Sequence, residues 1–150
     1  MNILYRILLV LHITSAAVLF GGAIGLVRSL RQNVGGQREV FLAIARDAAR
    51  RGRAMGVGSM ATLITGLALI FTLGGFGSVP LQIHIALALL LVAMATSAAL
   101  IQPQMLRLVH LAEAPTLDGE AAKKSIKLIA MGQGILHLLW IVILVLMIIH

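Results

Sequence analysis

The stretch from Ile126 to Ile149 reads IKLIAMGQGILHLLWIVILVLMII, and Lys127 is its only charged residue. A run of about 20 predominantly apolar residues is long enough, as an α-helix, to cross the hydrocarbon core of a bilayer. This stretch therefore predicts a transmembrane helix. Three further apolar stretches precede it, at about residues 3–27, 55–73 and 80–101. Together they predict an all-α membrane protein whose four spans form an up-down-up-down bundle.

The composition also favours a membrane protein. Of the 150 residues, 60% are hydrophobic and 11% are charged, and the mean hydropathy is +1.04. A soluble domain carries about 25% charged residues, so the composition argues against that class. The four spans and their connections occupy nearly the whole chain, which predicts a single domain over residues 1–150. Because the sequence has no cysteine, disulfides, iron–sulfur clusters and cysteine-ligated zinc are excluded.

Basic residues are concentrated in two of the three connections between the predicted spans. All but Arg6 of the 12 lysines and arginines lie there: Arg28, Arg31, Arg38, Arg46, Arg50, Arg51, Arg53, Arg107, Lys123, Lys124 and Lys127. The connection between the second and third spans has no charged residue. Since cytoplasmic loops carry an excess of lysine and arginine, the pattern predicts both termini on the external, periplasmic side of a bacterial inner membrane. The basic residues that give the chain its net charge of +7 are accordingly predicted to contact lipid and not nucleic acid.

Local signals predict where several helices begin and end. A basic, partly amphipathic cytoplasmic helix is predicted at about residues 38–53, because apolar positions recur there at helical spacing. The glycine-rich residues 74–78 predict a tight external turn, and Pro80 suits the first turn of the third span. Pro103 predicts a kink in that span or its end. Asp118 is the predicted N-cap of the last helix.

Three histidines, His12, His84 and His137, lie inside the predicted spans. Ionisable side chains within a membrane are costly and usually face the bundle interior or a bound ion. Counted from the external end at about 1.5 Å per residue, the three lie about 13, 6–7 and 18 Å deep. Helix tilt and side-chain length can absorb differences of this size, so a shared site in the external half is predicted. The alternative for each histidine is a simple hydrogen bond to a neighbouring helix.

The chemistry of imidazole indicates a metal or a haem at such a site. A neutral imidazole is a good ligand for haem iron, copper or zinc, and its second ring nitrogen needs an oriented partner. Spans one and three lie diagonally in such a bundle, which favours His12 and His84 as the axial pair of one haem. His137 is the replacement candidate for either ligand. The candidate partners of the ring nitrogens are Gln82, Gln133, Thr14 or a backbone carbonyl group. Gln133 lies one turn before His137, on the same helix face.

Other residues of these types are interpreted as structural. His110 and His150 lie near the predicted membrane surfaces, where polar residues need no special explanation. The glycines and alanines of the spans predict faces where helices approach closely. No carboxylate lies in the central part of a span to serve as a general base, so no catalytic residue is identified.

Two short motifs resemble those of a group of small four-helix bacterial membrane proteins. LHI at residues 11–13 and LFGG at residues 19–22 are similar to the first span of CopD-type copper-resistance proteins, of an uncharacterised family of integral membrane proteins and of the HemJ protoporphyrinogen oxidases. PLQIHIAL at residues 80–87 resembles the W-L-H-x-K-L opening of the third HemJ span. The resemblance covers these two helix starts, the chain length and the topology.

The resemblance implies that His12 ligates haem b or copper and that His84 is a site residue. The lysine that follows the HemJ histidine is replaced by Ala86, and the HemJ signature Arg-x-Phe-Asn-Glu is absent. These differences argue against protoporphyrinogen oxidation. The predicted function is therefore a haem b-binding electron-transfer protein or oxidoreductase subunit, working with quinone or a periplasmic redox partner in a homo- or hetero-oligomer. Copper handling, or a non-catalytic subunit that packs against larger partners, are the alternatives.

Overall fold

The computed structural model describes residues 3–21 and 25–149, except for the side chain of Phe20. Gly22 of the LFGG motif and His150 thus lie outside the described residues. The regular structure of the described part is helical: α1 Ile3–Gly21, α2 Leu26–Asn33, α3 Arg38–Thr72, α4 Leu81–Thr96, α5 Gln102–Glu113 and α6 Gly119–Ile148. A short 3₁₀ turn, Phe76–Ser78, connects α3 to α4, and a π-helical turn, Ser97–Ile101, connects α4 to α5. The prediction of an all-α protein is confirmed.

Three helical segments of the described chain are long and apolar enough to cross a membrane: Arg38–Thr72, Leu81–Glu113 and Gly119–Ile148. α1 is a shorter apolar helix. The 35 residues of α3 extend over roughly 52 Å, well beyond the thickness of a hydrocarbon core. The basic helix predicted at about residues 38–53 is the N-terminal part of α3, which continues directly into the second span. No proline interrupts it, so the backbone hydrogen bonds run through.

Pro103 does not end the third apolar segment. A proline in a helix removes a backbone donor, and its ring clashes with the carbonyl group four residues earlier. The chain accommodates this by widening to the π-helical turn over Ser97–Ile101, after which α5 continues with the proline in its first turn. The side chain of Gln102 then donates a hydrogen bond of 2.6 Å to the carbonyl oxygen of Gly52, which joins α5 to α3.

The buried core lies at the end of the molecule that carries the basic residues, hereafter the basic end. Its fully buried side chains come from α2, α3, α5, α6 and the π-helical turn, and the largest are Phe41, Leu30, Ile101, Met105, Leu108 and Ile129. Glycines allow the close crossings: a Cβ atom on Gly52 would lie 2.6 Å from Met105 Sδ, and one on Gly132 would lie 2.7 Å from Ile101 Cγ1. This end of the bundle is therefore tightly packed.

The guanidinium group of Arg38 joins two helices at the basic end. It donates hydrogen bonds to the carbonyl oxygens of Ala112, at 3.0 Å, and of Glu113, at 2.7 Å. Those carbonyl groups belong to the last turn of α5, where intrahelical donors are lacking. The start of α3 is thus attached to the end of α5.

Towards the opposite end the helices separate into two pairs. α1 packs along α3, and α4 packs along α6. In the described part of the chain, α1 has no comparable contact with α4, α5 or α6. The two pairs meet at the basic end and diverge from it, which leaves space between them.

Candidate cofactor-binding cavity

A cavity of about 400 Å³ occupies the space between the α1–α3 pair and the α4–α6 pair, remote from the basic end. Its wall is mostly apolar and includes the small residues Ala16, Gly66 and Ala86. Polar side chains on the wall are few: Tyr5, His12, Thr62, Ser78 and Trp140. Sites for organic ligands are typically apolar clefts of about 300–1,000 Å³ with a few convergent polar groups. The cavity has the size and the character of such a site.

His12 is held against α3 through one nitrogen of its ring. Nδ1 lies 3.0 Å from the carbonyl oxygen of Thr62 and 3.1 Å from Oγ1 of Thr65. A carbonyl oxygen only accepts, so these partners assign the proton to Nδ1. Nε2 is then the unprotonated nitrogen, and it makes no hydrogen bond within the described residues. This is the arrangement that metal-bound histidines usually show, with one ring nitrogen donating to a carbonyl group and the other available to the metal.

Small residues of α3 allow α1 and the His12 ring to approach it closely. A Cβ atom on Gly66 would lie 3.0 Å from Cε1 of His12, and one on Gly58 would lie 3.3 Å from the carbonyl oxygen of Ser15. Between these two contacts, the hydroxyl oxygens of Thr62 and Ser15 lie 3.0 Å apart. The register of α1 on α3, and with it the position of His12, is thus set by both shape and hydrogen bonding.

His137 borders a second and much smaller cavity, of about 30 Å³. Its Nδ1 lies 2.7 Å from the carbonyl oxygen of Gln133, one turn earlier in α6. The hydroxyl-bearing residues Ser59 and Ser97 also line this cavity. Four residues line both cavities: Leu19, Leu90, Trp140 and Ile143. His12 and His137 therefore border adjoining spaces, and Trp140 contributes to the wall of each.

His84 lines neither of these two cavities. Its Nδ1 is 3.2 Å from the carbonyl oxygen of Pro80, and its ring centroid is 5.9 Å from that of Phe76 in the α3–α4 connection. α4 faces the large cavity with Ile83 and Ala86, and one residue along a helix is a rotation of about 100°. The structure therefore does not bring His84 to the cavity that His12 borders. Gln82 is partly buried and lines neither cavity.

Gln133 contributes its backbone carbonyl oxygen to His137, and a backbone carbonyl was among the partners that the sequence suggested. Its side chain is 4% exposed, and Nε2 has no hydrogen-bond partner among the described residues. Over the same residues, no three side chains of His, Cys, Asp or Glu come together in a group that could hold a metal ion. The convergence of three imidazoles on one ion is thus absent from the described part of the chain.

Sequence reasoning overlooked the two threonines of α3 that position His12, whereas Gly66 was among the glycines predicted to allow close approach. Thr62 and Thr65 lie three residues apart inside an otherwise apolar segment, and a search for small polar residues on one face would have found them. These side chains meet because their helices are rotated towards one another. That rotation does not follow from the depth of a residue along its helix.

Helices of this length and apolarity, arranged around an apolar cavity, define the class: the protein is an integral membrane protein. Residues 6–150 match a family described as predicted integral membrane protein (DUF2269), and the chain belongs to that family. Neither a search of curated proteins nor one of solved structures found a match. The prediction of a membrane protein family in contact with the lipid bilayer is confirmed. Membership of the CopD-like or HemJ-like group and the identity of the membrane stay predictions.

Proposed function

We propose that the protein binds haem b in the cavity between the two helix pairs, with His12 as its axial ligand, and that it serves electron transfer as a membrane subunit. The observation that carries this proposal is the way in which the His12 ring is placed and hydrogen-bonded. Its ring borders the cavity, its Nδ1 is bonded to α3, and its Nε2 has no hydrogen bond within the described chain. An imidazole oriented in this way is prepared to ligate a metal centre.

The residues around the cavity fit a haem group. Haem iron is commonly held by a single histidine, and the macrocycle needs apolar walls. Bound haem would supply one-electron redox chemistry. The chain's own contribution would be to orient the His12 ring through Thr62 and Thr65, to accommodate it at Gly66, and to exclude water with apolar side chains.

The proposal replaces the axial pair expected from the sequence by His12 alone. His84 faces Phe76 and lines neither cavity. His137 borders the adjoining cavity and is the remaining candidate for a second axial ligand. Trp140 lines both spaces and so lies at the boundary that a ligand held by both His12 and His137 would cross.

Copper handling is supported less well by this geometry. A copper site draws on several imidazole, thiolate or thioether ligands. The groups that accompany His12 on the cavity wall are hydroxyl groups, an indole and the single thioether of Met147, and no further histidine or carboxylate borders it. Haem, whose porphyrin supplies the equatorial ligands, needs only one such side chain.

We further propose that α1 is the fourth span and that the cavity lies in the external half of the membrane. The 19 residues of α1 extend over about 28 Å, close to the thickness of a hydrocarbon core. The positive-inside rule assigns the basic end to the cytoplasm, which gives both termini to the periplasmic side of a bacterial inner membrane. The cavity is remote from the basic end. In that position, a bound haem could exchange electrons with a quinone or a periplasmic partner.

The absorption spectrum of the protein, purified from cells supplied with haem precursor, tests the proposal. We expect a Soret band, a reduced α band and one haem per chain. The His84→Ala variant should retain both, because His84 lies away from the cavity. Loss of haem from His84→Ala would contradict the single-ligand site. A colourless protein with stoichiometric copper would favour the copper alternative, and one with neither would favour a packing subunit.

Gly66→Val tests whether the contact between His12 and α3 matters for the cofactor. A Cβ atom there would already meet the imidazole at 3.0 Å, and two further methyl groups would displace the ring from Thr62 and Thr65. We expect haem affinity to fall by about tenfold or more, the size of effect that loss of a ligand's orienting contacts produces. Gly56→Val, on the same helix in open space, is the matched control. Equal affinity in the two variants would contradict the assigned role of Gly66.

A further inference from the structure

Seven residues of the basic end make neither an ion pair nor a side-chain hydrogen bond within the described part of the chain, and their side chains are exposed: Arg28, Arg31, Arg50, Arg53, Arg107, Lys124 and Lys127. The other basic residues of this end have partners. Arg46 pairs with Glu113, Arg51 with Asp47 and Lys123 with Glu120, while Arg38 binds backbone carbonyl groups. The seven unpaired cations, here called the cationic collar, are therefore available to an external anion.

Arg50 and Arg53 lie where the lipid-facing surface of α3 meets the basic end. Residues three and four apart in a helix share a face, and Val57 and Ile64 continue the face of these arginines towards the membrane interior. Those two side chains are 72% and 59% exposed, as expected of side chains in contact with lipid. The Cα atoms of the two arginines lie about 4.5 Å apart in height along the helix. Arginines that flank an apolar membrane segment in this way are expected at the level of the lipid headgroups.

The rest of the collar is distributed around the same end. On α6, Lys127 precedes the exposed Met131 by one turn on the same face. On α2, Leu26 and Leu30 are buried in the core, while Arg28 and Arg31 are exposed. The apolar face of α2 thus packs on the protein core, and its basic face points outward. Cations therefore face outward from four different helices.

We propose that Arg50 and Arg53 together bind the phosphate of an anionic phospholipid and that the rest of the cationic collar makes the same leaflet selective for anionic lipid. Guanidinium groups match the geometry of phosphate oxygens and can donate two hydrogen bonds each. The apolar stripe that continues from the two arginines would contact the acyl chains of the same lipid. A soluble anion would not make that second contact, which is why a phospholipid fits this surface.

Retention of lipid by purified protein measures this interaction. The protein is reconstituted in phosphatidylcholine bilayers containing an equal share of phosphatidylglycerol, extracted in mild detergent, and analysed by native mass spectrometry. We expect bound phosphatidylglycerol in clear excess over phosphatidylcholine. The Arg50→Gln/Arg53→Gln variant should retain about fivefold less phosphatidylglycerol, as expected when basic side chains near an anionic surface are removed.

The control removes two charges that already have partners. Arg51→Gln/Lys123→Gln lowers the net charge equally but takes both residues from existing ion pairs. It should retain phosphatidylglycerol at the wild-type level. Equal loss in both double variants would mean that only net charge matters and would overturn the assigned site. Equal retention of the two lipids by the wild type would overturn the proposal as a whole.

Discussion

Replacing His12 by alanine is expected to abolish haem binding. In the described chain, His12 is the histidine that borders the large cavity, and its Nε2 is not engaged in any hydrogen bond. Without a protein ligand to the iron, only apolar contacts would hold the macrocycle. The measurement is the haem content of the purified variant, by the Soret band and by a pyridine haemochrome assay, with circular dichroism to verify the helical content.

A control variant and a rescue experiment accompany the His12→Ala measurement. His110→Ala removes an exposed histidine at the end of α5 and should leave haem content unchanged. Imidazole added to the His12→Ala protein should restore part of the haem, because the deletion leaves room for the free ligand beside Gly66. Wild-type haem content in His12→Ala would exclude His12 as the ligand and would move the search to His137. Haem loss in both alanine variants would indicate damage to the fold instead.

Phe41→Ala is expected to cause the largest loss of stability. Phe41 is completely buried in the core at the basic end, among residues from α2, α5 and α6. Truncation of a buried phenylalanine to alanine typically costs about 3–5 kcal/mol, since it removes apolar burial and leaves a cavity. The measurement is the free energy of unfolding in mixed micelles, titrated with a denaturing detergent.

Phe71→Ala on the same helix is the matched control. Its ring is 66% exposed, facing lipid or detergent, and it has an edge contact with Phe76 at 5.8 Å between centroids. Such a ring pair contributes about 0.5–1.5 kcal/mol, so the control should lose no more than that. Similar losses in the two variants would show that the basic end is not the main core of the molecule.

The spans were largely predictable because the bilayer imposes a simple requirement. Within lipid every backbone group must be paired internally, so a long apolar run without charge has to be a helix. The apolar stretches near residues 55–73, 80–101 and 126–149 each lie within a helical segment that is long enough to cross. The boundaries were less predictable. A proline can end a helix or be accommodated by a π turn, and the packing of Gln102 on Gly52 favours continuation of the helix after Pro103.

Local composition was sufficient to predict a helical protein that lies in a membrane and carries its charge at one end. It also pointed to buried histidines, since an imidazole in an apolar span is unusual wherever it faces. Which of these histidines borders a cavity became clear from the packed helices alone. Depth along a helix can be counted from the chain, but rotation around the helix axis depends on packing between helices. The close approaches at Gly58 and Gly66 orient His12 towards α3. Packing between the α3–α4 connection and α4 likewise places the ring of His84 beside that of Phe76.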